Sequence, residues 1–127
     1  MVHGRIMQLE LGEITNIIKS YNLDTMFFIT YAFQVKGQYI PEDDVIILNP
    51  QFTKKEFIIT LLHEICHALD CKRLGLKKYL KKYNQAGQMA VHNGLDFHDD
   101  NKWEQRAEKF AHNEYKRRNY VSKISRV

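Results

Sequence analysis

One short stretch of the sequence combines residue types and a spacing that suit metal chemistry. His63, Glu64 and His67 form an HExxH pattern. Residues four apart lie on one face of an α-helix, so the two imidazoles can converge on a single metal ion. Glu64 stands beside the first of them, where it can act as general base on the water that attacks a peptide bond. The pattern predicts a metal-dependent hydrolase.

The two histidines are one protein ligand short of an ordinary catalytic zinc site. The longer HExxHxxGxxH pattern fails, because Asp70 and Arg73 stand where its glycine and third histidine belong. Further along, Glu104 and Glu108 share one face of a predicted helix. One of these carboxylates can bind the metal while the other orients a ligating imidazole, and the spacing leaves both assignments open.

The two helices that must position these groups are predicted from local signals. Thr53 and Glu56 form a capping box, and Gly75 is a typical C-terminal stop, so the HExxH helix is expected over residues 54–73. Its side chains are apolar around most of the circumference, which indicates a buried central helix. The two glutamates fall on a final helix, expected over residues 101–118.

The rest of the chain completes one domain of the α+β class, residues 1–127. The predicted fold is a small antiparallel three-stranded sheet packed on the central HExxH helix, with one helix before that helix and two after it. The expected segments are an N-terminal helix region (1–25, its helix near 8–21), a sheet region (26–50, with strands at 26–35, 38–40 and 45–48), a basic helix (76–90), a loop (91–100) and a basic tail (119–127). A sheet edge beside the metal can bind an extended peptide, and Gln38–Ile40 and Tyr31–Val35 are the edges expected to do so.

These features together resemble one known family. The stretch VIILNPQFTKKEFIITLLHEICHALD, followed by an ExxAExFA pattern, is similar to the ImmA/IrrE family of zinc metallopeptidase domains, over about residues 26–115. The resemblance implies one Zn²⁺ per chain in a gluzincin-like site with metal ligands His63, His67 and Glu104, catalytic base Glu64, and Glu108 orienting a ligand from behind. It also implies an endopeptidase whose substrate is an intracellular protein, such as a DNA-binding transcriptional repressor of a mobile element or phage.

Three features depart from the family pattern. Cys66 replaces a glycine that is often found in the motif, Arg106 stands where a second acidic residue is common, and a basic tail replaces a stretch that ends in proline. Four tyrosines could stabilise an oxyanion, and the sequence does not choose among Tyr31, Tyr79, Tyr83 and Tyr115.

A rival interpretation uses other ligands. SprT-like proteases, which act on DNA-bound proteins, carry HExxH on a helix and take a third histidine from downstream. His92 and His98 are the alternative ligands on that interpretation.

Composition and charge set the remaining expectations. The chain has 19 basic and 15 acidic residues, a net charge of +4 and a pI near 9.0, so basic patches that contact nucleic acid are a third possibility, in a DNA-linked regulatory module whose metal is not catalytic. Two cysteines exclude a disulfide framework. Neither a long apolar run nor a secretory signal is found, so a cytoplasmic protein without membrane contact is expected.

Overall fold

Four helices and three short strands make up the part of the chain that the computed structural model describes, residues 10–31 and 34–125, of which residues 119–125 are described by their backbone only. In chain order the elements are α1 (Leu11–Lys19), β1 (Met26–Ile29), β2 (Gly37–Ile40), β3 (Val45–Leu48), α2 (Lys54–Leu74), α3 (Leu76–His92) and α4 (Lys102–Ser125). The predicted α+β class is confirmed. The predictions for residues 1–9, 32–33 and 126–127 lie outside the described residues.

The sheet is mixed, so the prediction of a purely antiparallel sheet is wrong in one pairing. The strand order is β1-β3-β2, with β2 antiparallel and β1 parallel to the central β3. The Val-Ile-Ile-Leu run of β3 is the most apolar of the three strands and almost entirely buried, which suits a central position. β1 and β2 follow each other in the chain, yet they do not pair with each other, and both are edge strands among the described residues.

β1 is also shorter than the predicted strand over residues 26–35. Its last ladder contact is the bond from the Thr30 N–H to the Leu48 carbonyl, at 3.0 Å. The partner strand ends there, and Pro50 follows with no N–H to donate. Tyr31 and Val35 therefore do not form a sheet edge, whereas Gln38–Ile40 does so as part of β2.

α2 is the central helix that the sequence predicts. The Thr53 hydroxyl accepts a bond from the Glu56 N–H at 3.2 Å, and the Glu56 carboxylate accepts one from the Thr53 N–H at 3.3 Å. These bonds fix the first turn. The helix ends at Leu74, where Gly75 has φ +86°. Its buried apolar side chains pack against the sheet and the other helices; they include Phe57, Leu61, Leu62 and Ile65.

α4 lies close along α2, and two kinds of contact hold it there. Ala107 and Ala111 are fully buried, so the two backbones can approach each other. The Asp70 carboxylate, only 1% exposed, accepts bonds from the Arg106 guanidinium at 3.1 and 3.2 Å. Asp70 and Arg106 are two of the positions that depart from the extended motif and the family pattern, and here they form one ion pair that joins the two helices.

α4 begins where it was predicted to begin but ends later than predicted. Asn101 starts the helix as expected, since its side-chain oxygen accepts the Trp103 N–H at 2.9 Å. The helical backbone then continues to Ser125, through most of the predicted basic tail. Among the described residues, no helix is both long and apolar enough to cross a bilayer.

Candidate metal centre

Three side chains from α2 and α4 converge at one point. Oε1 of Glu104 lies 2.8 Å from Nε2 of His63 and 2.9 Å from Nε2 of His67. Among the described residues these three form the one group whose donor atoms all lie within 4.8 Å of one another. The group could hold a metal ion, and two imidazoles with one carboxylate are a donor set that suits Zn²⁺ and several other divalent ions.

The second nitrogen of each histidine also has a partner. Nδ1 of His67 lies 3.1 Å from the Tyr79 hydroxyl on α3, and Nδ1 of His63 lies 3.0 Å from Oε1 of Glu108 on α4. A proton on each Nδ1 can be donated to these oxygens, which leaves Nε2 of each ring as the atom that is directed at Glu104 and available to a metal ion. Partners of this kind fix the ring orientation of metal-binding histidines.

Glu104 is held by its other oxygen. The Tyr83 hydroxyl donates a hydrogen bond to Oε2, and Nε2 of His98 lies 3.3 Å from the same atom. His98 belongs to the loop between α3 and α4, and its neighbour Phe97 packs against Gly87, where any Cβ would fall within 2.4 Å of the Phe97 ring. These contacts leave Oε1 directed at the two histidines.

The charges within the cluster support one another. Burial lowers the pKa of His63, but the hydrogen bond to Glu104, the charge of Glu64 and the hydrogen bond to Glu108 outweigh burial and raise this pKa to about 9. Burial raises the pKa of Glu104, yet hydrogen bonds from the two histidines dominate and hold it well below its usual range. At neutral pH a metal ion that binds Nε2 of His63 therefore displaces a proton.

Glu64 faces a cleft beside this cluster. The cleft has a volume of about 890 Å³, and its lining includes the three convergent side chains and residues of β2. Glu64 is 7% exposed, and burial raises the pKa of its carboxyl, while the charges of His67 and His63 oppose that rise. A raised pKa brings a carboxylate closer to the value at which it can take up a proton near neutral pH.

Gly37 allows the sheet edge to reach this cleft. A Cβ at Gly37 would lie 2.6 Å from Cγ2 of Thr60, 3.2 Å from the Ile47 carbonyl and 3.5 Å from Cγ of Glu64. Any larger residue must push β2 away from α2 at the turn that precedes the HExxH histidines. The glycine therefore lets an edge strand run directly beside Glu64.

The structure brings together most of the residues that the sequence singled out. His63, His67 and Glu104 converge, Glu108 stands behind His63, and Glu64 lines the same cleft. The two alternative ligands, His92 and His98, lie in different places. His98 contacts Glu104 from the cleft side, whereas His92 lies at the exposed end of α3 and does not line the cleft.

Three contacts were not predicted as such. Tyr79 and Tyr83 appeared among the oxyanion candidates, but their hydroxyls bond His67 and Glu104 instead. Their i, i+4 spacing on the helix after HExxH was the available signal. Nε2 of His112 lies 3.4 Å from Oε2 of Glu108, one helical turn away. Cys66 contacts Asp70 instead of the cluster, with its Sγ 3.9 Å from Oδ2, and burial raises the pKa of its thiol to about 12.

Glu108 should affect metal binding without being required for it. Glu108→Ala removes the acceptor on Nδ1 of His63, so metal affinity is expected to fall by about 10–100-fold. Chelator competition on the purified variant measures this, and excess Zn²⁺ should restore wild-type occupancy. Glu114→Ala, on the same helix but bonded to Tyr21, is the matched control and should bind metal as the wild type does. If Glu108→Ala binds the metal with unchanged affinity, Glu108 does not orient His63 for metal binding.

Comparison with known proteins identifies no relative. No protein-family model, no curated protein and no solved structure matches the chain.

Proposed function

We propose that this protein is a zinc-dependent endopeptidase that hydrolyses a peptide bond in a protein substrate. The observation that carries the proposal is the convergence of His63, His67 and Glu104 beside Glu64 at the wall of a large cleft. The sequence resemblance to ImmA/IrrE domains supports the same activity, and a DNA-binding repressor is the substrate that this resemblance favours.

The hydrogen bonds around the three proposed ligands support the binding of zinc. Each imidazole is oriented through Nδ1, and Glu104 is oriented through Oε2, so all three donor atoms are directed at one point. A site that is ordered in advance binds metal more tightly and holds it in one geometry. When bound, a zinc ion supplies Lewis acidity that polarises a peptide carbonyl and acidifies water.

The chain's own residues perform the proton transfers. Glu64, whose pKa burial raises, takes a proton from the attacking water and then gives it to the nitrogen of the leaving amine. Because it lies close to the metal ligands without being one of them, it can act on the reacting groups rather than on the metal. Tyr79 and Tyr83 keep His67 and Glu104 in position during this exchange.

The substrate segment binds along β2. This strand pairs with β3 on one side, and its residues from Gly37 to Tyr39 line the cleft. An extended peptide can add to such an edge through main-chain hydrogen bonds, which leaves its side chains to select pockets. The approach of β2 to α2 at Gly37 then brings a peptide bond next to Glu64.

A peptide library made from a whole proteome tests the activity on many substrate sequences at once. The zinc-loaded chain is expected to create new amino termini at internal peptide bonds, which mass spectrometry detects. Removal of the metal with a chelator should abolish them, and added Zn²⁺ should restore them. If a chain with one zinc per molecule creates no new termini in this library or in a panel of folded DNA-binding repressors, the proposed function is wrong.

A further inference from the structure

The outward face of α3 carries an unusual concentration of positive charge. From Cys71 to Leu95 the chain has six basic residues and no acidic one. Four of the six are lysines of α3 itself: Lys77, Lys78, Lys81 and Lys82. Because the net charge of the whole chain is +4, the residues outside this segment sum to a slightly negative charge, although a second group of basic side chains lies near the C-terminal end of the sequence.

Helical geometry arranges the exposed polar side chains of α3 in a stripe. At about 100° per residue, Lys77, Lys78 and Lys81 share the outward side with residues of the later turns, namely Gln85, Gln88 and His92. All six are exposed, whereas Tyr79, Gly87 and Ala90 on the opposite side are buried. We call these six residues the α3 stripe. The helix is about 25 Å long, so the stripe can follow several nucleotides of a phosphate backbone.

The lysines of the stripe are not neutralised within the described part of the chain. Lys77, Lys78 and Lys81 form no ion pair or hydrogen bond there, although other basic side chains do, such as Arg106 with Asp70 and Arg117 with Glu114. Unpaired charges of one sign on one face produce a potential that attracts a polyanion.

We propose that the α3 stripe binds the phosphate backbone of nucleic acid. Lysine ammonium groups contact phosphates, and the side-chain amides of Gln85 and Gln88 can donate hydrogen bonds to phosphate oxygens as well. A membrane surface fits less well, because a membrane-bound helix needs a continuous apolar side. The exposed apolar residues Met89 and Val91 instead lie about 160° apart around the helix axis, on opposite flanks of the stripe.

The stripe adjoins the cleft. The inner side of α3 contributes Tyr79, Leu80, Tyr83 and Asn84 to the cleft lining, and Asn84 lies between the two regions. Nucleic acid on the stripe would therefore lie next to the cleft. If the proposed peptidase function also holds, a protein bound to the same nucleic acid is the substrate class that this arrangement serves.

Binding of the full-length chain to fluorescent DNA duplexes of unrelated sequence, followed by anisotropy between about 50 and 200 mM salt, tests the proposal. Three phosphate contacts predict a slope of log affinity against log salt of about −3. The double variant Lys77→Glu/Lys81→Glu is expected to bind at least about tenfold more weakly, with the slope reduced in magnitude by about 2. The chelator-treated chain should bind as well as the zinc-loaded chain, so this result does not depend on peptidase activity.

The matched control is Lys54→Glu/Lys102→Glu, which changes the net charge equally. Both lysines are exposed first residues of helices, where an acidic side chain is favourable. This control should bind within about twofold of the wild type. The proposal is overturned if the wild type does not bind at 50 mM salt or if both double variants bind equally. It is also overturned if polyglutamate, as a mimic of an acidic protein, competes as well as DNA at equal charge.

Discussion

Glu64→Gln is expected to lower the rate of peptide hydrolysis by about 10²–10⁴-fold while the chain stays folded and keeps its metal. The substitution preserves the shape of the side chain and removes the group that takes the proton from water. Because Glu64 contacts none of the three donor atoms by hydrogen bond, the metal content should stay near one ion per chain. Turnover of a substrate found in the peptide library, with zinc measured by mass spectrometry of the metal, checks both parts.

The exposed Glu13 of α1 supplies a control of the same chemistry. Glu13→Gln should hydrolyse the substrate at the wild-type rate. Excess zinc should leave Glu64→Gln inactive, whereas it should rescue Glu108→Ala. Wild-type turnover by Glu64→Gln, or loss of its metal, would show that Glu64 is not the base.

Glu104→Ala is expected to empty the metal site, with a larger loss of affinity than the about 10–100-fold expected of Glu108→Ala. Glu104 supplies the oxygen that faces both histidines, and it is also the shared partner of Tyr83 and His98. Its removal therefore takes away one donor and releases the groups around it. Zinc per chain after dialysis, with circular dichroism as a check on folding, measures the effect.

His98 provides the control that separates two ligand sets. If Glu104 is the third ligand, His98→Ala should keep its zinc. If Glu104→Ala retains zinc while His98→Ala loses it, the third ligand is the loop histidine, as in the SprT-like interpretation. If only Glu108→Ala loses zinc, the two glutamates have exchanged roles.

Local spacing in the sequence was sufficient for the helices that carry the chemistry. A capping box, an apolar periodicity and a glycine stop predicted the HExxH helix over 54–73, and the structure has it at Lys54–Leu74. These signals work because they act within one or two helical turns. The same short range places His63 and His67 on one face whatever surrounds them.

The order of the strands in the sheet could not be predicted from local sequence signals in the same way. The three strands were predicted near their true positions, yet the sheet is mixed because β3 rather than β2 is central. Which strand becomes central depends on how much of each strand the assembled fold buries, and β3 is the most buried of the three. That quantity is a property of the assembled layers, and the sequence of each strand only hints at it.

The sequence by itself determined that two imidazoles and a carboxylate lie on one side of α2, and that two glutamates share a side of α4. Only the tertiary structure decided that Glu104 faces both Nε2 atoms, that Glu108 faces Nδ1 of His63, and that tyrosines of α3 hold the remaining atoms. The rotation of α4 about its own axis determines which atoms the two glutamates face. The rotation is set by the buried Ala107 and by the Asp70–Arg106 ion pair, whose members lie 36 residues apart in the chain, so no local pattern contains it.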